Sequence, residues 1–298
     1  MRAIVTGGAG FIGSHLVDAL VARGDDVTVV DDFSTGRREN LNPAARVVEH
    51  DIRKPFEIDA DTVFHLAAQA DVNTSVRDPV LDAQVNVVGT LRVLQAAGEA
   101  QVVFTSTGGA IYGECERPAR EDDPRQPLSP YGTSKLAGEE YLATWNRLFG
   151  AGHVALRLAN VYGPRQQPTL EGGVVAIFLD RMTSGEETVV YGDGLQSRDF
   201  VYVGDVARAL LAAVGASPGV YNIGTGIDTR IVDLHALCRR ATETDGEPSF
   251  AEPRQGEILR SVLDATAAER DLAWKADTAL DDGLRATLEA IRRSPALP

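Results

Sequence analysis

The stretch from Met1 to Asp31 constrains this chain more than any other. Arg2-Ala3-Ile4-Val5-Thr6 reads as a short buried strand, and Gly7-Gly8-Ala9-Gly10-Phe11-Ile12-Gly13 as a glycine loop that opens into a helix. Leu16, Val17, Leu20 and Val21 give that helix an apolar face, and Gly24 stops it. Val27-Thr28-Val29-Val30 forms a second strand ending on Asp31. This is one βαβ unit with a phosphate site at its turn. Gly7 permits the tight turn, Gly10 lets backbone amides approach a pyrophosphate, and Gly13 lets the helix pack closely. The helix N-terminus offers unpaired amides and the positive end of its dipole to the phosphates. A carboxylate at the end of the second strand accepts from both ribose hydroxyls of adenosine and repels a 2′-phosphate. Arg37 and Arg38 lie in the next loop, but no Arg follows Asp31 directly, so the predicted dinucleotide is NAD rather than NADP.

The chain has 298 residues, enough for one or two domains, and its 44% hydrophobic content suits an ordinary globular protein. No run of eighteen apolar residues occurs and Met1 leads straight into the first strand, so neither a leader nor a membrane span is expected. Cys115 and Cys238 stand far apart without metal-ligand spacing, which predicts a reducing, cytoplasmic setting and no metal. A net charge of −14 argues against a nucleic-acid partner.

Further strands are expected at Arg46–Glu49, Thr62–Leu66, Gln101–Ser106 and His153–Leu158. Helices are expected at Pro79–Glu99 and Pro130–Phe149, the latter with proline in its first turn. The alternation predicts an α/β fold with a doubly wound parallel sheet. Asp32, Ser34, Thr35 and Gly36 fall in the loop beside the adenosine, and Asp51-Ile52 follow the third strand, with Asp51 able to accept from the adenine amino group. Leu66, Ala67, Ala68 and Gln69 supply small side chains where a cofactor lies, and Asn86, polar between valines, is a further cofactor contact. His65, inside an apolar strand, reads as a packed residue. The Gly163-Pro164 break divides a nucleotide-binding domain, 1–163, from a smaller substrate-binding domain, 164–298, with a helix near 203–216 returning to the first. Val189–Tyr191 and Val220–Ile223 read as small strands, and a last helix lies around Thr278–Arg293.

Tyr131-Gly132-Thr133-Ser134-Lys135 is the second informative stretch. Residues four apart on a helix share a face, about 6 Å between Cβ atoms. A phenol titrates near about 10, too high for a base at neutral pH, and a nearby ammonium favours the phenolate. Tyr131 can then exchange a proton with a substrate hydroxyl while hydride moves to a nicotinamide, and Lys135 can also bond the nicotinamide ribose. Alone this pair is common on helix surfaces; beside a dinucleotide loop it reads as chemistry.

These stretches together resemble the extended short-chain dehydrogenase/reductase family, in its nucleotide-sugar epimerase branch. The resemblance is carried by Thr6–Gly13, Asp51-Ile52, His65–Gln69, Tyr131–Lys135, Asn160-Val161-Tyr162-Gly163-Pro164-Arg165, Arg198-Asp199-Phe200-Val201-Tyr202-Val203 and Pro253-Arg254-Gln255-Gly256-Glu257. It implies a Rossmann sheet, bound NAD, and a third catalytic hydroxyl at the end of the fifth strand. Counting from Phe104 gives Thr107, with Ser106 in reserve; counting back from Ile111-Tyr112-Gly113 gives Gly108. It also implies that Arg198 and Arg254 bind a diphosphate, that Asn160 contacts the same region, and that Glu257 holds the nucleoside ribose. Ser261 falls where the family faces C2 of the sugar, and Arg260 or a neighbouring loop is the alternative that closes that space. Related dehydratases and decarboxylases carry acids where this chain has Gly108, Gly109 and Ala110. The implied activity is NAD-dependent UDP-sugar 4-epimerisation, of UDP-glucose and UDP-galactose first, with UDP-N-acetylglucosamine or UDP-glucuronate as alternatives. A non-catalytic NAD sensor is the reading from another class, and intact Thr107, Tyr131 and Lys135 argue against it. The implied assembly is a homodimer pairing Pro79–Glu99 and Pro130–Phe149 across a two-fold axis.

Overall fold

The computed structural model describes residues 1–168, 173–253 and 258–293. Seven parallel strands form its main sheet: β1 Arg2–Thr6, β2 Asp26–Asp31, β3 Arg46–Glu49, β4 Thr62–His65, β5 Gln101–Thr107, β6 Val154–Leu158 and β7 Gly219–Ile223. Their order is β7-β6-β5-β4-β1-β2-β3. The central strands are apolar on successive residues because helices cover both faces. Helix α1 (Phe11–Arg23) lies on one face, where Leu16 and Leu20 pack with Val27, Leu156 and Leu210. On the other face Val93, Leu94, Phe104 and Leu142 form a second cluster. The order runs away from β1 in one direction and from β4 in the other. At such a switch point the loops leaving the strand ends diverge and open a crevice.

Local chemistry sets the helix bounds. Helix α1 ends at Gly24, whose left-handed φ of +88° lets its N–H reach the Leu20 and Val21 carbonyls. The expected helix from Pro79 is present as α2, residues 79–97, but its middle turn, Gln84–Val88, is π-helical. Helix α3 (Pro130–Phe149) begins as expected, with Pro130 in the first turn and the Ser129 hydroxyl accepting from Gly132 N–H at 3.1 Å.

Beyond Gly163 the chain returns to the sheet. Helix α4 (Val203–Ala212) packs on α1, and β7 pairs in parallel with β6, Val220 opposite Ala155. The segment read as a small strand of the tail is thus the outer strand of the main sheet. The helix Thr266–Leu272 also packs on β7, its Ala268 and Leu272 in the cluster of Leu156 and Leu210, while Phe178, Leu179, Leu234, Leu284 and Leu288 from helices Val174–Ser184, Ile231–Thr242 and Leu280–Arg293 form a third cluster. Short pairings outside the main sheet knit this part of the chain together: Asn160–Tyr162 with Phe200–Tyr202, and Ser197–Arg198 between Thr229–Arg230 and Arg260–Ser261. Among the described residues no helix is long and apolar enough to cross a membrane.

Candidate active site

The glycine turn opens onto a cleft of about 520 Å³ at the switch point. Gly7 has φ +72°, and a Cβ there would stand 2.6 Å from Ala67 N; one on Gly13 would stand 2.1 Å from the Gly7 carbonyl. Neither position tolerates a side chain, so the turn and the start of α1 interlock. Gly10 precedes the helix and no side chain caps it. The first-turn residues Phe11, Ile12 and Gly13 line the cleft, bringing the positive end of the helix to it.

Asp31, Asp32, Ser34, Thr35 and Gly36 line the same cleft. Asp31 is buried; its Oδ1 accepts from Phe33 N–H and its Oδ2 from Ala9 N–H, both at 2.9 Å. Each oxygen keeps a lone pair. Burial raises the Asp31 pKa, against the pull of those two backbone bonds. With ribose hydroxyls as its expected partners, Asp31→Ala should weaken NAD more than NADP, a comparison equilibrium titration makes directly. A wild type preferring NADP would remove Asp31 from this role. Asp51 and Ile52 also line the cleft, but the Asp51 carboxylate is paired with Arg53, Nε to Oδ1 2.9 Å and Nη2 to Oδ2 2.8 Å. Asp51 therefore stands in the cleft as an Asp51–Arg53 pair, with acceptor capacity left on its carboxylate. Arg53 was missed because nothing in its own position marks it.

Leu66, Ala67, Ala68 and Gln69 form the facing wall. Behind them runs a buried chain of hydrogen bonds. Ala67 N–H donates to Thr6 Oγ1, which meets His65 Nδ1 at 2.8 Å; His65 Nε2 meets Thr90 Oγ1 at 3.0 Å, and Thr90 donates to the Asn86 carbonyl at 2.6 Å. Thr90 spends its proton on that carbonyl, so His65 donates from Nε2 and accepts at Nδ1. Burial, with the nearby Lys135 charge, pushes the His65 pKa down to about 3 and keeps it neutral. His65 is therefore packed, as its apolar strand implies. Asn86 does not line the cleft. Seated in the π turn, its Oδ1 accepts from Gln69 N–H and its Nδ2 donates to the Gln69 carbonyl, both 2.9 Å. These bonds brace the wall at Gln69.

At the other end of the wall, Thr105, Ser106, Thr107, Tyr131 and Lys135 reach the cleft together. Lys135 is buried, its Nζ 4.6 Å from the Phe104 ring centroid. Burial pushes its pKa down to about 8, with Asp82 and Glu139 opposing. Ser106 Oγ is buried without a hydrogen-bond partner, and a buried orphan in a cleft wall is a group that a bound ligand would satisfy. With the uncapped helix end and Asp31, it makes the residues present fit a dinucleotide, which Phe11 to Gly13 would hold at its phosphates, Asp31 at the adenosine ribose, and Tyr131 and Lys135 at the nicotinamide end.

Three further polar groups meet beside Thr107. A Cβ on Gly109 would lie 3.7 Å from Asn160 Oδ1 and 3.9 Å from both Ser261 Oγ and Thr107 Oγ1. Asn160 Oδ1 is also buried without a partner. Arg198 pairs in register with Ser261, which brings it to the same edge. Arg260, the alternative that would close this space, has its guanidinium tied to Asp228 Oδ2 at 2.6 Å and the Cys115 carbonyl at 3.3 Å. Arg254 and Glu257 lie outside the described residues.

The model of the NAD dependent epimerase/dehydratase family matches residues 3–224. The chain is 44% identical over 309 residues to the UDP-glucose 4-epimerase of Mycolicibacterium smegmatis, covering 98% of this chain and 99% of that one. Among solved structures, the UDP-glucose 4-epimerase of Thermotoga maritima with UDP-glucose superposes with a TM-score of 0.94 at 44% identity, over 98% of this chain and 99% of its own. The Thermus thermophilus UDP-glucose 4-epimerase in complex with NAD gives 0.92 at 41% identity, over 99% and 100%. A glycine turn, an acid-ended second strand and a Tyr–Lys pair in one cleft thus agree with kinship along nearly the whole chain, and this protein belongs to the NAD dependent epimerase/dehydratase family.

Proposed function

We propose that this protein is an NAD-dependent UDP-sugar 4-epimerase that interconverts UDP-glucose and UDP-galactose. The observation that carries this reading is the meeting of Thr107, Tyr131 and Lys135 on one cleft, beside Gly108, Gly109 and Ala110 where an eliminating enzyme needs an acid. NAD, when bound, would take hydrogen from C4 as hydride and return it to the other face, so that no net oxidation results. Tyr131 takes the proton of the 4-hydroxyl and later gives it back. Thr107 orients that proton between sugar and Tyr131. Lys135, an ammonium below its pKa of about 8, favours the phenolate. Asn160 and Arg198, with Arg254 and Glu257 expected from the resemblance, hold the diphosphate and nucleoside.

A second reading, a wider substrate range, is favoured by the small Ser261 beside the space at Gly109. A coupled assay over a panel of UDP-sugars tests both. Turnover is expected with UDP-glucose, and measurably with UDP-N-acetylglucosamine; Ser261→Tyr should suppress the second and spare the first. Purified protein that holds NAD but turns over no UDP-sugar would overturn the activity.

We also infer a homodimer built on α2 and α3. Val80, Val88, Tyr141, Leu148 and Phe149 on these helices are exposed, more apolar surface than two helices facing water usually show. Light scattering at micromolar concentration should return twice the 31.8 kDa chain mass. Both cysteines are free thiols, which supports a cytoplasmic location.

A further inference from the structure

The strand that carries Ser261 is gripped by two carboxylates. Glu114 accepts Leu259 N–H on Oε2 and Arg260 N–H on Oε1, each at 2.8 Å. Two residues beyond Ser261, Leu263 N–H donates to Asp199 Oδ2 at 3.3 Å. The Asp199 backbone completes the hold: its N–H donates to the Ser261 carbonyl at 3.0 Å, and its own carbonyl accepts Asn160 N–H at 2.9 Å. Asp199 is buried and also accepts from Thr225 and Gly226, so it belongs to the folded core of this region. Glu114 is different. It is exposed, sits on the segment that follows Thr107 and Gly109, and binds the backbone just before Ser261, whose Oγ meets Thr107 Oγ1 and Asn160 Oδ1 around Gly109.

We propose that Glu114 is a positioning residue that sets the width of the sugar subsite by fixing Ser261 relative to Thr107, so that it governs affinity for the sugar without touching it. Successive N–H groups of an extended strand point to opposite sides. One carboxylate collecting two in a row therefore fixes the backbone twist just before Ser261. Both bonds are charge-assisted, and the carboxylate gives each donor an acceptor oxygen of its own. The next contacts, Ala119 N–H to the Val262 carbonyl and Asp264 N–H to the Ala119 carbonyl, continue the seam between the same two segments. The clamp thus fixes the end nearest the sugar.

The proposal rests on the UDP-sugar reading, and its test separates the two. Glu114→Gln keeps the size of the side chain but turns an NH2 toward one backbone N–H. Wild type and variant are titrated calorimetrically with UDP-glucose and with UDP alone, and assayed for epimerisation. The expected result is affinity for UDP-glucose lowered about tenfold, with KM rising in step, while UDP affinity, kcat, bound NAD and melting temperature stay within about twofold or unchanged. Unchanged UDP-glucose affinity overturns the proposal. So does an equal loss for UDP and UDP-glucose, which would put Glu114 on the nucleotide side. A joint fall of kcat and melting temperature would make its role merely structural and overturn it too. Wild type that binds neither ligand would defeat the UDP-sugar reading itself, and the clamp with it.

Discussion

Tyr131→Phe is expected to lower turnover by about 10²-fold or more while NAD remains bound, the usual scale for removing a positioned acid–base group. The expectation comes from where α3 begins. Ser129 caps the helix and Pro130 opens it, so Tyr131 enters the cleft from the first turn, where the backbone is held by the cap. Lys135 follows one turn later on the same face, buried against Phe104. Its pKa of about 8 lies below the ordinary lysine value, so it is charged at neutral pH and loses that charge as pH rises through about 8. Its electrostatic support for a phenolate is therefore present below that pH and fades above it. Single-turnover and steady-state assays with bound NAD measured beside them check the prediction. Full activity in the phenylalanine variant would remove Tyr131 from the mechanism and leave the lysine as a buried charge without a task.

What the sequence made readable was whatever depends on near neighbours. The glycine turn, α1 with its Gly24 stop, Asp31 at the end of β2 and the Tyr131–Lys135 pair are each defined by residues close to one another in the chain, and each sits in the structure as the spacing predicts. What stayed hidden depends on partners far along the chain or on a local departure from helical period. The bond between Asn86 and Gln69 is one case: a regular helical period gives no sign of the π turn that seats the asparagine there. β7 lacks any signal that separates an outer sheet strand from a small strand in a cap, since its pairing with β6 joins residues more than sixty positions apart. Glu114 stands in a loop with no periodicity, and its two acceptors are spent on backbone about 145 residues away. The site's chemistry is local and legible; its walls are assembled at long range.

Glu139→Ala is expected to cost about 3–5 kcal/mol of stability, the scale for leaving a buried charge without its partner. Glu139 and Arg157 are both almost wholly buried, joined by Nε to Oε1 at 3.0 Å and Nη2 to Oε2 at 2.7 Å. The guanidinium spends its remaining nitrogen on the Tyr112 hydroxyl at 2.6 Å and the Glu121 carbonyl at 3.1 Å. Burial pushes the Tyr112 phenol up to about 12, so it stays protonated and donates in turn to Asn222 Oδ1 at 2.8 Å. One ion pair thereby ties α3 to β6 and, through Tyr112, to β7. In the alanine variant the guanidinium remains in the core with no anion beside it, and the urea midpoint should fall accordingly. The companion variant Glu139→Leu/Arg157→Met removes both charges and leaves no stranded charge in the core, so it should be more stable than Glu139→Ala. If the double variant unfolds as early as the single one, the loss comes from packing rather than from the stranded charge. Glu139 also stands one turn beyond Lys135 and is one of two carboxylates that favour its ammonium. Removing it should therefore push the Lys135 pKa lower still and start the alkaline loss of activity at lower pH, an effect on the pH–rate profile that a packing defect alone does not produce.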